Sequence, residues 1–452
     1  MGYLLFFKIF CLNFGVNLVL TYRGNQNVNL QVVNLKACIN ERLDKRIVNT
    51  RKFPDFKFLI SLINFQSFRL KRNKHFISNS QNILDLRNIA KKNTPKIVFD
   101  YVEGGALEEV SYKRSIDAFK NTEFPAKVLQ KVRVINTSQK VLGKNIDLPV
   151  IFAPTGYTRM MHHTGELAVA RVALQKNLIY VLSTMGTTSP EELAIKIPQV
   201  RRWMQIYIMR DRSETLKLVN SAKKNGFEAL MVTVDTPVTG IKIRDLRNGL
   251  TVPPKIGLGT VFSIATKPLW WFNLLTTKKL EFAAFKGWDK GLSELANLIF
   301  SSEVTEKDIH WLKSIWNGPL IVKGIQSVYD AKKVAALGVS ALVVSNHGGR
   351  QLDRSPTPLE ILHDIVKAVG SRVEVYIDGG ILNGQDVYAA VALGAKGVLI
   401  GRSYLYGLMA GGELGVHRVV DILERDLRNT MALTGNTNLV QVKKAGAKIR
   451  KN

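Results

Sequence analysis

The chain has 452 residues, of which 46% are hydrophobic and 22% are charged, so it can form one large globular domain or two ordinary ones. Its two cysteines, Cys11 and Cys38, both lie near the start, which excludes disulfide, cysteine–zinc and thiol chemistry from the rest of the chain. The net charge of +28 is spread along the chain without any nucleic-acid-binding motif, which argues against nucleic acid as a partner. We favour a generally basic proteome as its cause, although an anionic substrate would be drawn towards such a surface.

The first 78 residues differ from the rest and form a predicted N-terminal extension. Residues 2–22 are mostly apolar, but Lys8, Asn13 and Asn17 interrupt them, and no small-residue cleavage site follows. Basic residues come next, and the apolar stretch 56–65 with its flanking lysines and arginines could lie flat on an anionic membrane. Two interpretations are open: a poorly ordered extension, or attachment of a cytoplasmic protein to the inner face of the cell membrane.

From about residue 85, short β-rich runs alternate with amphipathic helical stretches, which predicts βα units and a parallel sheet. Eight runs can be counted, at 150–153, 180–183, 203–207, 229–234, 320–322, 341–344, 373–377 and 398–400. Helices are predicted at 165–175, 213–225, 327–337, 359–368 and 385–393. We therefore predict a (β/α)8 TIM barrel of the α/β class over residues 79–445, while counting alone leaves a doubly wound sheet open.

The connection between the fourth and fifth runs, residues 238–318, is too long to be a simple link. We expect an active-site lid or a docking region there. It contains Trp270, Trp271 and Phe272, for which two roles are open. They bury against the barrel or a neighbouring subunit, which we favour, or they contact a membrane or an electron acceptor.

Polar residues and glycines follow the C-terminal ends of the predicted strands. They are Pro154 with Thr155, Ser183, Gln205 with Tyr207, Thr233 with Asp235, Lys323, His347, Asp378 with Gly379 and Gly380, and Gly401 with Arg402. These ends share one face of a barrel, where barrel enzymes place their active sites. Glycines and an arginine after the seventh and eighth strands favour a phosphate-bearing ligand, and no triphosphate loop or Rossmann motif is present.

Several motifs resemble those of the FMN-dependent L-2-hydroxy acid dehydrogenases and oxidases. The most specific is SNHGGRQLD, from Ser345 to Asp353. Others are FDYVEGGA from Phe99, APTG from Ala153, QIY from Gln205, VTVDTP from Val232, VKG from Val322, DGG from Asp378 and IGR from Ile400. The similarity runs from about Ile83 to about residue 440 and is greatest to bacterial L-lactate dehydrogenases, through GLMAGGE from Gly407 and WWFNLLTT from Trp270.

The resemblance implies FMN as the cofactor, a homo-oligomer, and oxidation of a small L-2-hydroxy acid, best L-lactate to pyruvate. His347 would be the general base, since imidazole titrates near neutral pH, and Asp235 would orient it. Arg350 would hold the substrate carboxylate with paired hydrogen bonds, helped by Tyr101 and Tyr207. The implied cofactor-binding residues are Pro154, Thr155, Gly156, Ser183, Gln205, Thr233, Lys323, Asp378, Gly379, Gly380, Gly401 and Arg402, with Lys323 stabilising the reduced flavin.

Two positions depart from the family pattern. Lys242 stands where the family has a second substrate-side arginine, so the charge is kept but the planar fork is lost, and Arg244 cannot simply replace it. Leu382 and Asn383 stand where many members have a phosphate-binding arginine, which leaves Arg402 and backbone amides to hold the FMN phosphate.

The alternatives for activity concern the electron acceptor and the reaction. Gly156 favours a dehydrogenase that passes electrons to a quinone or cytochrome, with an oxygen-using 2-hydroxy acid oxidase as the alternative. An FMN-dependent isomerase of similar barrel fold, and a barrel that only binds ligands, are further alternatives. No metal site is predicted, because the adjacent His162 and His163 point in different directions on most backbones and Glu166 is the one carboxylate nearby.

Overall fold

The computed structural model describes residues 75–250, 257–285 and 301–450, together with two short strands near the start, Asn17–Thr21 and Asn29–Val33. These strands pair antiparallel within a unit of residues 1–69, and the rest of the chain forms a second unit. The apolar stretches predicted at 2–22 and 56–65 fall largely outside the described residues. The two interpretations of the extension, and its boundary at residue 78, therefore stay predictions.

Eight parallel strands of the second unit close into a barrel, and we label them β1 to β8 in chain order. Their bounds are β1 Val150–Phe152, β2 Ile179–Ser183, β3 Arg201–Ile206, β4 Ala229–Thr233, β5 Leu320–Ile325, β6 Ala341–Val344, β7 Glu374–Asp378 and β8 Gly397–Ile400. Each strand pairs with the next, and β8 returns to β1, with Val398 beside Val150. The predicted (β/α)8 barrel is confirmed, and every predicted run contributes a strand.

Helices surround this barrel. Their bounds are Ile83–Asn93, Lys96–Glu103, Val110–Lys120, Thr158–Met161, Gly165–Gln175, Pro190–Lys196, Arg212–Lys224, Ile243–Arg247, Leu258–Ala265, Pro268–Leu275, Glu306–Ile315, Val328–Ala336, Pro358–Val369, Gly384–Ala392, Arg402–Leu433 and Leu439–Ala445. The five predicted helices all form, within one residue at either end. None of the helices within the described parts of the chain is long and apolar enough to cross a bilayer.

Alternate side chains of the strands pack on opposite sides of the barrel wall. Ile151, Val181 and Met231 belong to a buried cluster that fills the barrel interior, whereas Phe152 and Leu182 belong to the larger cluster beneath the helices. A hairpin of two short strands, Gln139–Val141 and Lys144–Ile146, adds apolar side chains to the interior cluster. Leu142 of its turn donates to the side chain of Glu374, the first residue of β7, so the hairpin covers the N-terminal end of the barrel.

The long connection after β4 is only partly buried. Helices Leu258–Ala265 and Pro268–Leu275 contain no fully buried residue. Trp270 packs against the barrel core, and its Nε1 donates to the Met160 carbonyl at 2.9 Å, as the favoured interpretation expected. Phe272, two residues later, is 50% exposed, so burial does not extend along the whole aromatic stretch.

Candidate active site

The loop after β6 carries two of the predicted functional side chains on an unusual backbone. His347, Gly348 and Gly349 all have positive φ, at 58°, 64° and 72°, and form a tight 3-10 turn. The Asn346 side chain accepts from the Gly349 amide at 3.1 Å. A Cβ at Gly349 would lie 2.7 Å from the Tyr112 amide nitrogen, so glycine is required by both conformation and space.

Other residues of the same motif brace the loop. Asp353 accepts from the Ser111 amide at 2.8 Å and so caps helix Val110–Lys120, which has no side-chain cap of its own. The Gln351 amide group donates to the Asp235 carbonyl at 3.1 Å and accepts from the Gly240 amide at 3.0 Å. Sequence reasoning missed these bracing roles, for which the available signal was polar side chains directly following Arg350.

His347 and Asp235 form a close pair between the ends of β6 and β4. His347 Nδ1 lies 3.0 Å from Asp235 Oδ1, and the Asp235 side chain is 2% exposed. Burial alone would raise the Asp235 pKa, but the charge and hydrogen bond of His347 and the charge of Lys323 outweigh it and lower the pKa. The carboxylate therefore stays ionised and holds Nδ1, which leaves Nε2 as the ring nitrogen able to accept a substrate proton.

Lys323 lies two residues before the end of β5 and is buried among polar partners. Its Nζ donates to Ser345 Oγ at 2.9 Å and pairs with Asp378 Oδ2 at 2.8 Å. Burial would lower the lysine pKa, but Asp378 and Asp235 outweigh it, so the ammonium stays charged. Asp378 Oδ1 is buried and has no hydrogen-bond partner among the described residues, so it can accept from a hydroxyl of a bound group.

A row of polar side chains crosses the ends of β2, β3 and β4. Ser183 Oγ donates to Gln205 Oε1 at 3.1 Å, and Gln205 Nε2 donates to Thr233 Oγ1 at 3.0 Å. Such amide and hydroxyl groups match the edge of a heteroaromatic ring, as the resemblance to flavin enzymes implies.

The loop after β1 lies beside this row. Pro154, Thr155 and Gly156 are half-buried, and Thr155 contacts the Tyr404 hydroxyl. A Cβ at Gly156 would lie 2.8 Å from Met185 Cβ, so a larger residue there would displace the loop after β2.

Arg350 is half-buried beneath two backbone carbonyls. Its Nη1 donates to the carbonyls of Tyr101 and Gly104 at 2.7 and 2.8 Å, and its guanidinium lies 5.1 Å from the Tyr101 ring centroid. The guanidinium has further N–H groups on Nε and Nη2 that can bind a carboxylate. Burial raises the pKa of both Tyr101 and Tyr207, so these hydroxyls keep their protons and can donate hydrogen bonds.

Two further ionisable groups act electrostatically on Arg350. Lys242 Nζ donates to the Gly240 carbonyl at 2.9 Å, and burial together with the Arg350 charge lowers its pKa to about 8. Burial raises the pKa of Asp245 to about 6, although Arg350 and Lys242 oppose this. Arg244 is engaged elsewhere, since its Nη2 donates to Glu109 Oε2 at 2.6 Å. Lys242 is thus a further cation near Arg350, and Asp245 was missed by sequence reasoning.

Arg402, at the end of β8, also braces the site. Its three nitrogens donate to the carbonyls of Val102, Gly348 and Gly104 at 2.9, 2.8 and 2.7 Å. The guanidinium also lies 4.3 Å from the centroid of the Tyr112 ring. Because these contacts use N–H groups on all three of its nitrogens, Arg402 cannot offer its whole guanidinium group to an anion.

Backbone amides provide the remaining features of a phosphate site. Helix Arg402–Leu433 begins without a side-chain cap, so the amides of its first turn can bind an anion. Gly379 and Gly380 have φ of 88° and 90° and let the backbone come close to a ligand. With the free Asp378 oxygen and the buried Lys323 charge, these residues fit a flavin mononucleotide.

The pair of adjacent histidines lies outside this arrangement. His162 Nδ1 is 2.8 Å from Thr164 Oγ1, and burial together with His163 lowers its pKa to about 3. Glu166 accepts from the Thr187 backbone and hydroxyl. Within the described ranges, no three metal-binding side chains come close enough to hold an ion.

Comparison with known proteins gives the same assignment. Residues 90–448 match the family described as FMN-dependent dehydrogenase. A "Putative L-lactate dehydrogenase" of Mycobacterium tuberculosis is 43% identical over 392 residues, covering 87% of this chain and 95% of that protein. A peroxisomal (S)-2-hydroxyacid oxidase of Arabidopsis thaliana is 38% identical over 354 residues, covering 78% of this chain and 92% of that protein.

A solved structure agrees with these relatives. The crystal structure of the monotopic membrane protein (S)-mandelate dehydrogenase has a TM-score of 0.79 and 32% identity, covering 82% of this chain and 100% of that chain. The chain therefore belongs to the FMN-dependent dehydrogenase family and is an FMN-dependent enzyme that oxidises 2-hydroxy acids.

Proposed function

We propose that the protein oxidises L-lactate to pyruvate and passes the electrons to a quinone or cytochrome. The observation that carries this proposal is the His347–Asp235 pair, held 3.0 Å apart on the same barrel face as the half-buried Arg350. A base and a carboxylate-binding cation are the two groups that a 2-hydroxy acid requires from the protein. FMN supplies the acceptor for the two electrons and the hydrogen that leave the substrate carbon.

Substrate binding follows from the charges at the site. The lactate carboxylate would bind the free N–H groups of Arg350 and the Lys242 ammonium, with the Tyr101 hydroxyl as a further donor. This places the 2-hydroxyl towards His347 Nε2, which takes its proton. Asp235 stabilises the resulting imidazolium, because it is ionised and bonded to the other ring nitrogen.

One relative favours lactate over other 2-hydroxy acids. The Mycobacterium tuberculosis protein with that name is 43% identical. Gly156 supports a dehydrogenase, since the resemblance places a small residue there against the flavin. The second candidate is an oxygen-using oxidase, favoured by the Arabidopsis thaliana relative at 38% identity.

The test is anaerobic reduction of the purified, flavin-loaded enzyme by a panel of acids. L-Lactate is expected to bleach the flavin absorbance, D-lactate is not, and a soluble quinone is expected to restore the colour faster than air. Faster recovery in air would support the oxidase. Bound flavin that no acid on the panel bleaches would contradict the proposed activity.

We also propose that the enzyme attaches to the cytoplasmic face of the membrane through helices Leu258–Ala265 and Pro268–Leu275. Leu258, Phe262 and Leu275 are 90%, 72% and 74% exposed, which is unusual for large apolar side chains. Lysines flank these helices, and the net charge of +28 favours an anionic lipid surface. The structurally similar (S)-mandelate dehydrogenase is described as a monotopic membrane protein.

Flotation of the full chain with anionic phospholipid vesicles tests this surface. The double variant Leu258→Asp, Phe262→Asp is expected to stay at the bottom of the gradient, because charge in the lipid interface is unfavourable. Val440→Asp changes an equally exposed apolar residue outside these helices and should float like the wild type. If the double variant floats equally well, the attachment lies elsewhere, as the apolar stretch at 2–22 would predict.

The homo-oligomer implied by the family resemblance is also a proposal. Val128, Leu129 and Val134 are 79%, 100% and 77% exposed in the connection after the short strand Thr122–Glu123, and we propose that a second copy of the chain covers them. Light scattering would measure the mass in solution. Leu129→Asp is expected to shift it towards the monomer, and an unchanged mass would exclude this surface as the interface.

A further inference from the structure

The residues described above bind the carboxylate and the 2-hydroxyl of the substrate, but none of them binds the substituent on its second carbon. We propose that Phe282, Tyr157 and Met185 form the wall of this side-chain pocket and limit the 2-substituent to a small apolar group such as methyl. The inference rests on the proposed function, because it assumes that a 2-hydroxy acid binds between Arg350 and His347.

These residues form a compact apolar cluster of their own. Phe282, which follows helix Pro268–Leu275, is 8% exposed and packs against Tyr157, Met185, Tyr207 and Phe285. Its ring meets the Tyr157 ring edge-on, with 4.2 Å between centroids. Phe285 also packs against the layer beneath the helices, so it joins this cluster to that layer.

The cluster adjoins the substrate site on two sides. Tyr207, one of its members, packs against Phe282 and is a tyrosine that the family resemblance assigns to the substrate. Tyr157 has a pKa raised by burial and by Tyr101. A substrate held by Arg350 and Tyr101 would therefore point its 2-substituent along the cluster.

The wall is held in place by the backbone. The Tyr157 amide donates to the Met185 carbonyl at 2.9 Å, and the Ala283 amide donates to the Gly186 carbonyl at 2.9 Å. Tyr157 adopts a φ of 54°, a left-handed conformation that a non-glycine residue keeps only when its surroundings enforce it. Such conformations cluster at functional sites, which is a second reason to assign Tyr157 a role there.

A buried arginine anchors the segment that precedes Phe282. Arg159 Nη2 donates to Thr277 Oγ1 at 3.1 Å, and its guanidinium also contacts the carbonyls of Lys278 and Lys279. Phe282 is thus not at the tip of a free loop, and its ring keeps a defined position over Tyr157.

The chemistry of the wall determines which substituent fits. Aromatic faces and a thioether favour apolar groups and disfavour charged ones. Because the Phe282 and Tyr157 rings are in contact, a third ring does not fit between them, and we expect a phenyl substituent to displace Phe282. L-Lactate is therefore favoured over L-mandelate.

Anaerobic flavin reduction by the two acids tests the wall. Phe282→Ala is expected to raise the ratio of the second-order rate constant of flavin reduction by L-mandelate to that by L-lactate at least tenfold. Phe282→Leu, which keeps an apolar side chain for folding, should raise it less. Tyr329→Ala removes an exposed aromatic side chain from helix Val328–Ala336 and should leave the ratio unchanged.

A binding measurement separates a pocket wall from a general structural effect. The dissociation constants of pyruvate and benzoylformate can be read from shifts in the flavin spectrum. In both Phe282 variants, the constant for benzoylformate should fall relative to that for pyruvate. If L-lactate reduces the wild type but neither Phe282 variant changes the rate ratio or the dissociation constants, the wall is wrong and the proposed activity stands. A wild type reduced by no 2-hydroxy acid would overturn both.

Discussion

The strand-end cluster, formed by Asp235, Lys323, His347 and Asp378, contrasts with the segment 257–285. The cluster residues lie at or near the C-terminal ends of strands of the closed barrel, and each side chain pairs with another member of the cluster. The segment has no fully buried residue in its two helices. Individual contacts attach it instead, among them the hydrogen bond from Trp270 to Met160 and the anchors on Arg159.

The contrast shows how the barrel divides two tasks. Proton and charge transfer need distances fixed to a fraction of an ångström, which strand ends provide. Recognition of a substrate side chain or a lipid surface tolerates looser geometry, and loops provide it. The following predictions test this division, from the largest expected effect to the smallest.

Loss of the base should have the largest effect. His347→Gln keeps a polar side chain but cannot take the substrate proton, so the rate of flavin reduction by L-lactate should fall roughly 10²- to 10⁴-fold. The flavin content of the purified variant, measured by absorbance, should match that of the wild type. Reduction at nearly the wild-type rate would mean that another group acts as the base.

The tight turn after β6 should respond next. Gly349→Ala combines an unfavourable φ of 72° with a 2.7 Å approach to the Tyr112 nitrogen. We expect the free energy of unfolding to fall by about 3 kcal/mol in denaturant titrations. Gly143→Ala is the matched control, because φ is 81° there and nothing lies within 4 Å, so strain alone should cost about 1 kcal/mol. Equal losses in both variants would show that the loop has room.

Lys242 lies between the end of β4 and the segment 257–285 in the sequence, and its pKa leads us to expect a pH effect. Below its pKa of about 8 the ammonium attracts the substrate carboxylate, and above that pH the neutral amine does not. The wild-type kcat/KM for L-lactate should therefore decrease above pH 8, by roughly fivefold for a lost interaction of about 1 kcal/mol. Lys242→Arg keeps its charge and should remove this decrease. Identical profiles would place Lys242 away from the carboxylate.

The smallest effect is expected within the segment itself. Trp270→Phe removes the hydrogen bond to the Met160 carbonyl, worth about 1 kcal/mol, and should loosen residues 257–285 locally. Limited proteolysis should cut there several-fold faster, with little change in the thermal midpoint of the barrel. Trp311→Phe changes a partly buried tryptophan of helix Glu306–Ile315 and should not raise the cutting rate.

Much of the fold could be predicted because strands and helices are determined largely by residues that are close together in the sequence. Buried apolar runs and helical periodicity identified all eight strands, and polar residues at their ends indicated where the site would lie. The bracing contacts could not be predicted, because they join positions far apart. Asp353 meets Ser111 across 242 residues, and Arg402 reaches Gly104 across 298. The sequence shows that Asp353 and Arg402 are charged, but which residues they contact depends on the completed barrel.

The same limit applies to the long connection after β4. Its length indicated a functional segment, and its aromatic residues were expected to be buried. Trp270 is packed against the barrel, while Phe272 is exposed, because the two side chains lie on different faces of one helix. Phe282 carries no local signal, and its position over Tyr157 follows from the way the segment folds back onto the loop after β2.

The loop after β6 has a consequence for how the enzyme matures. Its side chains contact partners that are 231, 116 and 242 residues away, through Asn346, Gln351 and Asp353. Contacts over such separations form slowly, after the local helices and strand pairs. We therefore expect the ability to capture FMN to appear at the last stage of folding. A newly made chain would pass through a nearly native, flavin-free form, and the supply of FMN would decide how much of it reaches the active enzyme.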